Sequence, residues 1–128
     1  MSEGKIFLID DDPVARQLYT RALEKAGFSV MGTDRVIGTT STINEFSPDI
    51  ILLDVMMPAI SGDKMVKILK QSIRSGPIII LVSNKSEDEL RKLKEECAAD
   101  DYVAKIAGLN SLLRKVNEHI FRKKGAQA

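Results

Sequence analysis

The sequence has one cysteine and no tryptophan, and aromatic residues make up only 5% of its 128 positions. A single cysteine excludes an internal disulfide and a cysteine-rich zinc site. Cys97 falls at helical spacing from Leu90 and Leu93, which predicts a small core residue. No apolar run approaches the length of a membrane span, and residues 1–5 contain no apolar segment typical of a secretory signal. We therefore expect a cytoplasmic location.

Neither sign of charge predominates, because nineteen Lys and Arg residues face eighteen Asp and Glu residues, for a formal net charge of +1. This balance gives no reason to expect a nucleic-acid or membrane partner. The basic run at 122–124 would complement the dipole at the end of a helix. The single histidine, His119, has no carboxylate or cysteine at ligand spacing, so we expect it to be solvated.

Two short aliphatic runs end in aspartate. Residues 6–9 precede Asp10, Asp11 and Asp12, and residues 50–53 precede Asp54. Such runs are typical of buried parallel strands, and ligands of open α/β sheets bind at the carboxyl ends of the strands. If the two strands are neighbours, three or four carboxylates share one pocket, which is costly unless a cation neutralises them. The pattern therefore predicts a divalent-metal site.

Strand and helix patterns alternate five times along the chain. Strands are predicted at 5–9, 28–32, 50–53, 78–82 and 102–104. Asp12 and Pro13 predict a helix start and Gly27 its end. Segment 34–46 predicts a short or irregular helix, and further helices are predicted at 62–71, at 86–97 with a capping box, and from 109 onward. This order predicts a parallel sheet with helices on both faces, in one domain over 1–128 with a core of about 5–121 and a frayed tail at 124–128.

Together these features resemble the receiver domain of bacterial two-component response regulators. The strongest motif is DVMMPAISG at residues 54–62, which matches the D-x-x-x-P-x-x-x-G loop that follows the third strand of that family. The acidic cluster after the first strand, Ser83 after the fourth and Lys105 after the fifth complete the set. The resemblance implies a flavodoxin-like, doubly wound five-stranded sheet in the order 2-1-3-4-5.

The resemblance also implies residue roles. Asp54 would accept a phosphoryl group as an aspartyl-phosphate. Mg²⁺ would be held by Asp10, Asp11 and Asp54 and by the backbone carbonyl of Met56, while Asp12 would cap the first helix. The chain would then be a phosphoryl acceptor, with possible autodephosphorylation, and not a conventional enzyme.

The resemblance assigns two further residues to contacts with the phosphoryl group, and a third to the conformational change that follows phosphorylation. Lys105 would place a cation, and Ser83 a hydroxyl, against the phosphoryl oxygens. Tyr102 occupies the position of the aromatic residue that turns inward as the population shifts between two states. The implied donor is a sensor histidine kinase or a phosphotransfer protein. The implied output is a downstream protein bound by the surface of the fourth helix, fifth strand and fifth helix, with the chain a monomer or weak homodimer.

The chain departs from the family pattern at three places. Ile106 follows Lys105 where proline is usual, so that peptide bond either stores the cost of a cis form, about 2.5–4 kcal/mol, or is trans and could displace Lys105. Asn84 stands where a small residue is favoured, and Ala98-Ala99 stands where alanine–glycine is common. These departures leave open an alternative, a receiver-like interaction module decoupled from phosphorylation. A haloacid-dehalogenase-like hydrolase is disfavoured, because Asp54 is followed by Val55 and Met56 and not by a second aspartate two residues on.

Overall fold

The computed structural model describes residues 3–58 and 60–127, with side chains described as far as residue 125. Five strands form one parallel sheet in the order β2-β1-β3-β4-β5. Their bounds are β1 Lys5–Ile9, β2 Ser29–Thr33, β3 Ile50–Asp54, β4 Ile78–Ser83 and β5 Asp101–Ala104. The predicted flavodoxin-like order is therefore confirmed.

Five helices cover the sheet on both faces. Their bounds are α1 Pro13–Lys25, α2 Thr40–Phe46, α3 Gly62–Ser72, α4 Glu87–Cys97 and α5 Leu109–Gln127. The predicted caps are confirmed, since the Asp12 side chain accepts from the Val14 N–H and Ser86 forms a capping box with Glu89. Gly27 follows α1 with a φ of 102°, which only glycine adopts without steric cost.

The prediction of a short or irregular second helix is also confirmed. Helix α2 has seven residues, and Thr39 at its N-cap makes no side-chain capping hydrogen bond. Gly38 precedes it with a φ of 83°. Poor helix propensity and a left-handed glycine together restrict this crossover to two turns.

The alternation of side chains along each strand divides the core into two layers. Phe7, Ile9, Ile51 and Leu53 pack on the face covered by α2, α3 and α4. Ile6, Leu8, Ile50 and Leu52 pack on the opposite face, under α1 and α5. Burial of each such aliphatic side chain stabilises the folded state by about 1.5–3 kcal/mol. Cys97 is buried in the first layer, as predicted.

The turn before β5 and the C-terminal tail can both be compared with what the sequence predicts. Ala98 ends α4 in the left-handed region, with a φ of 58°, so the turn into β5 places an alanine where glycine would carry no steric cost. The tail at 124–127 is helical, whereas a frayed tail is expected over 124–128 from the sequence; Ala128 lies outside the described residues. Fraying of this tail stays a prediction. Within the described ranges, no helix is long and apolar enough to cross a membrane.

Candidate functional site

The carboxyl ends of two neighbouring strands bring three of the predicted metal ligands together. Strands β1 and β3 pair in parallel with Ile9 opposite Leu53, so Asp10 and Asp54 lie side by side at the carboxyl ends of these strands. One carboxylate oxygen from each of Asp10, Asp11 and Asp54 lies within 4.8 Å of the other two. Three oxygens at this spacing can share one cation.

Asp10 is the most deeply buried of the three, with 1% of its surface exposed. The backbone N–H of Asp12 donates to Oδ1 of Asp10 at 2.9 Å, and the Lys105 ammonium donates to Oδ2 at 3.0 Å. Both carboxylate oxygens are thus held in place. Such partners offset the cost of removing a carboxylate from water.

Asp54 is 6% exposed at the end of β3. The N–H of Met56 donates to Oδ1 of Asp54 at 2.9 Å, and the Lys105 ammonium lies 3.3 Å from Oδ2. Burial raises the pKa of Asp54, and the negative charge of Asp10 adds to this, so that the pKa stays above its usual range despite the Met56 N–H and the Lys105 cation. Additional positive charge in the pocket would favour the ionised form.

Asp11 and Asp12 have different environments, although both are exposed. The Asp12 carboxylate accepts from the Val14 N–H at 3.0 Å and so caps α1. The Asp11 carboxylate makes no hydrogen bond or ion pair with any residue the structure describes. Asp11 is therefore available to a ligand, whereas Asp12 is used by the helix.

Lys105 bridges the two buried carboxylates from the start of a short 3₁₀ turn, Lys105–Ala107, that follows β5. Burial lowers the pKa of Lys105, but its hydrogen bond to Asp10 and the negative charge of Asp54 outweigh this, and the pKa is raised overall. The ammonium is charged at neutral pH.

The peptide bond between Lys105 and Ile106 is trans, since none of the described residues has a cis bond. A trans bond here could displace Lys105, but its ammonium still reaches Asp10 and Asp54. Ile106 itself is 95% exposed to solvent. The missing proline therefore leaves the charged contact intact.

Ser83 and Met56 lie at the carboxyl-end edge of the sheet, at the end of β4 and just after β3. Ser83 ends β4, is fully buried, and accepts from the Lys85 N–H at 3.2 Å through its hydroxyl oxygen. The Met56 side chain is 51% exposed, and no described residue donates to its backbone carbonyl. That carbonyl oxygen is thus available as a further oxygen ligand.

Tyr102 lies apart from the acidic pocket, on β5 opposite Leu81. Its hydroxyl lies 3.5 Å from Oε1 of Glu87, and the Lys115 ammonium lies 5.6 Å from its ring centroid. The ring borders a cleft of about 370 Å³ between α4 and α5. The predicted switch residue thus faces a surface cleft that an inward rotation would reshape.

The prediction for His119 was wrong. This side chain is 8% exposed, and its Nε2 lies 2.8 Å from Oδ2 of Asp101 on β5. Lys115, one helical turn earlier on α5, donates to Oδ1 of the same carboxylate at 2.9 Å. Burial raises the pKa of Asp101, but the hydrogen bonds from His119 and Lys115 outweigh it and lower the pKa overall. The sequence does show Lys115 and His119 four residues apart, on one face of a helix. It does not show their common partner, because Asp101 lies on β5.

The chain matches the family model of the response regulator receiver domain over residues 6–117. It is 30% identical over 123 residues to the phosphate regulon transcriptional regulatory protein PhoB of Escherichia coli strain K12, covering 88% of this chain and 53% of that protein. It is 31% identical over 124 residues to the response regulator MprA of Mycobacterium bovis, covering 97% of this chain and 54% of that protein. The chain spans about half the length of the curated relatives it matches.

Solved structures agree with this match. The BeF3-activated N-terminal receiver domain of RstA from Klebsiella pneumoniae superimposes with a TM-score of 0.80 at 28% identity, over 91% of this chain and 97% of that one. A CheY-like response regulator receiver domain protein from Methanospirillum hungatei gives a TM-score of 0.83 over 96% and 98% of the two chains; at 21% identity this likeness concerns the fold alone. The chain belongs to the response regulator receiver domain family of two-component systems, whose general function is to accept a phosphoryl group on an aspartate.

Proposed function

We propose that Asp54 accepts a phosphoryl group from a sensor histidine kinase or a phosphotransfer protein, and that the resulting aspartyl-phosphate signals through protein–protein contacts. The observation that carries this proposal is the position of the Asp54 carboxylate. It is buried at the end of β3, in contact with Lys105, and one of its oxygens lies within 4.8 Å of an oxygen of Asp10 and of Asp11. The proposal includes a cytoplasmic location and an acceptor role, without conventional catalysis.

In the proposed transfer, a carboxylate oxygen of Asp54 forms a bond to phosphorus while the bond from phosphorus to the donor's imidazole nitrogen breaks. The electron pair of the broken bond leaves with the imidazole, which is released as a neutral ring carrying a proton, and the charge of the Asp54 carboxylate is replaced by that of the phosphoryl oxygens, farther out in the pocket. The Lys105 ammonium, now divided between Asp10 and Asp54, is within reach to follow that charge. Such transfer depends on positioning and charge neutralisation more than on proton transfer.

The donor set fits Mg²⁺, which prefers carboxylate and carbonyl oxygens. Asp10, Asp11, Asp54 and the backbone carbonyl of Met56 would hold it, and a bound Mg²⁺ would neutralise charge on the phosphoryl group. Two features support this assignment: the Asp11 carboxylate has no protein partner among the described residues, and the pKa of Asp54 is raised by burial in an acidic pocket.

The proposed output runs from the site to the surface formed by α4, β5 and α5. Ser83 pairs with Ala104 in the β4–β5 register, two residues after Tyr102, so a shift of the Ser83 hydroxyl toward a phosphoryl group would act directly on β5. Rotation of Tyr102 would then change the cleft beside Glu87 and present a different surface to a downstream protein. We expect the chain to be a monomer or a weak homodimer.

Intact-protein mass after incubation with acetyl phosphate and Mg²⁺ tests the proposal. The wild-type chain should gain one phosphoryl mass, and Asp54→Asn should gain none. Asp63→Asn, at an exposed aspartate in the first turn of α3, is the matched control and should behave as wild type. A phosphorylated Asp54→Asn, or an unmodified wild type, would contradict the assignment.

Ile106 is one of the departures behind the alternative of a decoupled, receiver-like interaction module. The contacts of Lys105 with Asp10 and Asp54 count against that ground, because they persist with a trans bond before Ile106. The alternative predicts a partner that binds with the same affinity before and after treatment with acetyl phosphate.

A further inference from the structure

Arg16 is a half-buried cation close to the acidic pocket that the proposed chemistry does not use. It lies in the first turn of α1, and its Nη1 donates to the backbone carbonyl oxygen of Asp10 at 2.7 Å. This carbonyl stands where β1 has left the sheet, since the preceding N–H of Asp10 makes the last β1–β2 contact, to Thr33 at 3.1 Å. Arg16 therefore satisfies a backbone acceptor at the entrance to the site.

We propose that Arg16 is a positioning residue for the divalent-metal site, and that it acts by fixing the peptide unit between Asp10 and Asp11. The inference rests on the proposed function, since it concerns the same site. The Asp10 carboxylate has its own anchors, the Asp12 N–H and Lys105. The Asp11 carboxylate has none among the described residues, so its place is set by its backbone alone.

A fixed peptide matters because a metal site requires its oxygens within narrow distances of each other. Groups that orient a ligand without touching the metal contribute strongly to its affinity. The guanidinium of Arg16 fixes the carbonyl of the peptide unit whose other end carries the Asp11 Cα. Loss of this hydrogen bond would let the Asp11 carboxylate move away from Asp10 and Asp54.

The side chain of Arg16 runs beside Gly32. This glycine lies opposite Leu8 in the β1–β2 register. A Cβ atom at position 32 would lie 3.2 Å from the Leu8 carbonyl oxygen, 3.5 Å from Cδ of Arg16 and 3.6 Å from Cγ. The side chain of Arg16 thus passes over a position without a side chain, and the branches of a valine would occupy its path.

Charge alone predicts the opposite effect on metal binding. A cation beside a divalent-metal site repels the metal, so removing Arg16 would tighten binding if its charge were its only influence. Removing a positioning residue weakens binding. The sign of the change in affinity therefore distinguishes the two roles.

The experiment measures Mg²⁺ affinity by competition against Mn²⁺, with free Mn²⁺ counted by electron paramagnetic resonance, and thermal unfolding in EDTA on the same samples. Arg16→Met should weaken Mg²⁺ binding about tenfold with little change in the unfolding midpoint. Arg16→Lys should recover part of the affinity, because an ammonium can still donate to the carbonyl. Arg21→Met, at an exposed arginine of α1, is the matched control and should be unchanged. Unchanged or tighter binding in Arg16→Met would overturn the proposal.

A second variant tests the geometry independently. Gly32→Val should weaken Mg²⁺ binding by a similar factor, and the double variant Gly32→Val with Arg16→Met should be no weaker than either alone, because both remove one contact. Full additivity would overturn the link between the two residues. If the wild type itself binds no Mg²⁺, the proposed function fails with this inference. If the wild type binds Mg²⁺, Asp11→Ala loses it and Arg16→Met does not, only this inference fails.

Discussion

Nε2 of His119 lies 2.8 Å from Oδ2 of Asp101, and this contact joins α5 to β5. Lys115 holds the other oxygen of the same carboxylate, and its ammonium also lies over the Tyr102 ring. One carboxylate thus anchors two side chains of α5, one of which packs on the proposed switch residue. The fifth helix is held on the sheet by a polar contact as well as by its apolar stripe.

Asp101→Asn should lower the free energy of unfolding by about 1–2 kcal/mol at neutral pH, because two hydrogen bonds to a charged acceptor are weakened. The pKa of Asp101 is lowered in the folded chain, so the ionised form is favoured by folding. Its contribution is therefore complete above the ordinary carboxyl pKa of about 3.9 and is lost as pH falls through the lower folded value. Urea unfolding of the wild type and of Asp101→Asn between pH 7 and pH 3 measures how the difference in their free energies of unfolding changes with pH.

Glu118→Gln is the control for that series, because Glu118 neighbours His119 in sequence but is exposed. Its unfolding free energy should stay within about 0.5 kcal/mol of wild type. A wild-type advantage over Asp101→Asn that persists undiminished at pH 3 would contradict the account of Asp101.

Asp11→Ala and Asp12→Ala should separate metal binding from helix capping. Asp11→Ala should abolish Mg²⁺ binding and leave the unfolding midpoint in EDTA unchanged, because its carboxylate makes no hydrogen bond among the described residues. Asp12→Ala should keep Mg²⁺ binding and lose about 1 kcal/mol of stability, because the cap to Val14 is removed. The reverse pattern would show that the metal ligands are shifted by one residue.

Asp54→Asn should stabilise the metal-free protein at neutral pH. The pKa of Asp54 is raised in the folded chain, so its ionised form is disfavoured by folding and costs stability above that raised value. The amide keeps an oxygen for the Met56 N–H without the charge. We expect the thermal midpoint in EDTA at pH 7.5 to rise by roughly 3–6 °C, equivalent to about 1 kcal/mol, and the gain to disappear near pH 4. A lower midpoint at pH 7.5 would show that Asp54 has a structural role.

Lys105→Met should destabilise the metal-free protein by roughly 2–4 kcal/mol, because it leaves the buried carboxylates of Asp10 and Asp54 without their shared cation. Mg²⁺ should then raise the thermal midpoint more than it does in the wild type, since the ion no longer competes with an ammonium. Lys92→Met, at an exposed lysine of α4, should match the wild type in both respects. An equal Mg²⁺ response in Lys105→Met and wild type would contradict the shared-cation arrangement.

Local patterns in the sequence determined much of this protein. The aliphatic runs that end in Asp10 and Asp54, the Asp12 cap and the Ser86 capping box each depend on a few neighbouring residues, and all of them are present in the structure. The short second helix was predictable for the same reason, because Gly38 and the threonines beside it disfavour a helix wherever they occur. The strand order came from the family resemblance, and the sheet has that order.

Only the tertiary structure decided which distant groups meet. Lys105 reaches Asp10 across 95 residues of sequence, and His119 meets Asp101 because α5 packs back on β5. Arg16 reaches the carbonyl of Asp10 from α1, with its side chain passing beside Gly32 on the neighbouring strand. Periodicity and propensity describe a residue and its near neighbours along the chain. The contacts that determine the charge and geometry of the site depend on sheet register and helix packing, which are properties of the whole fold.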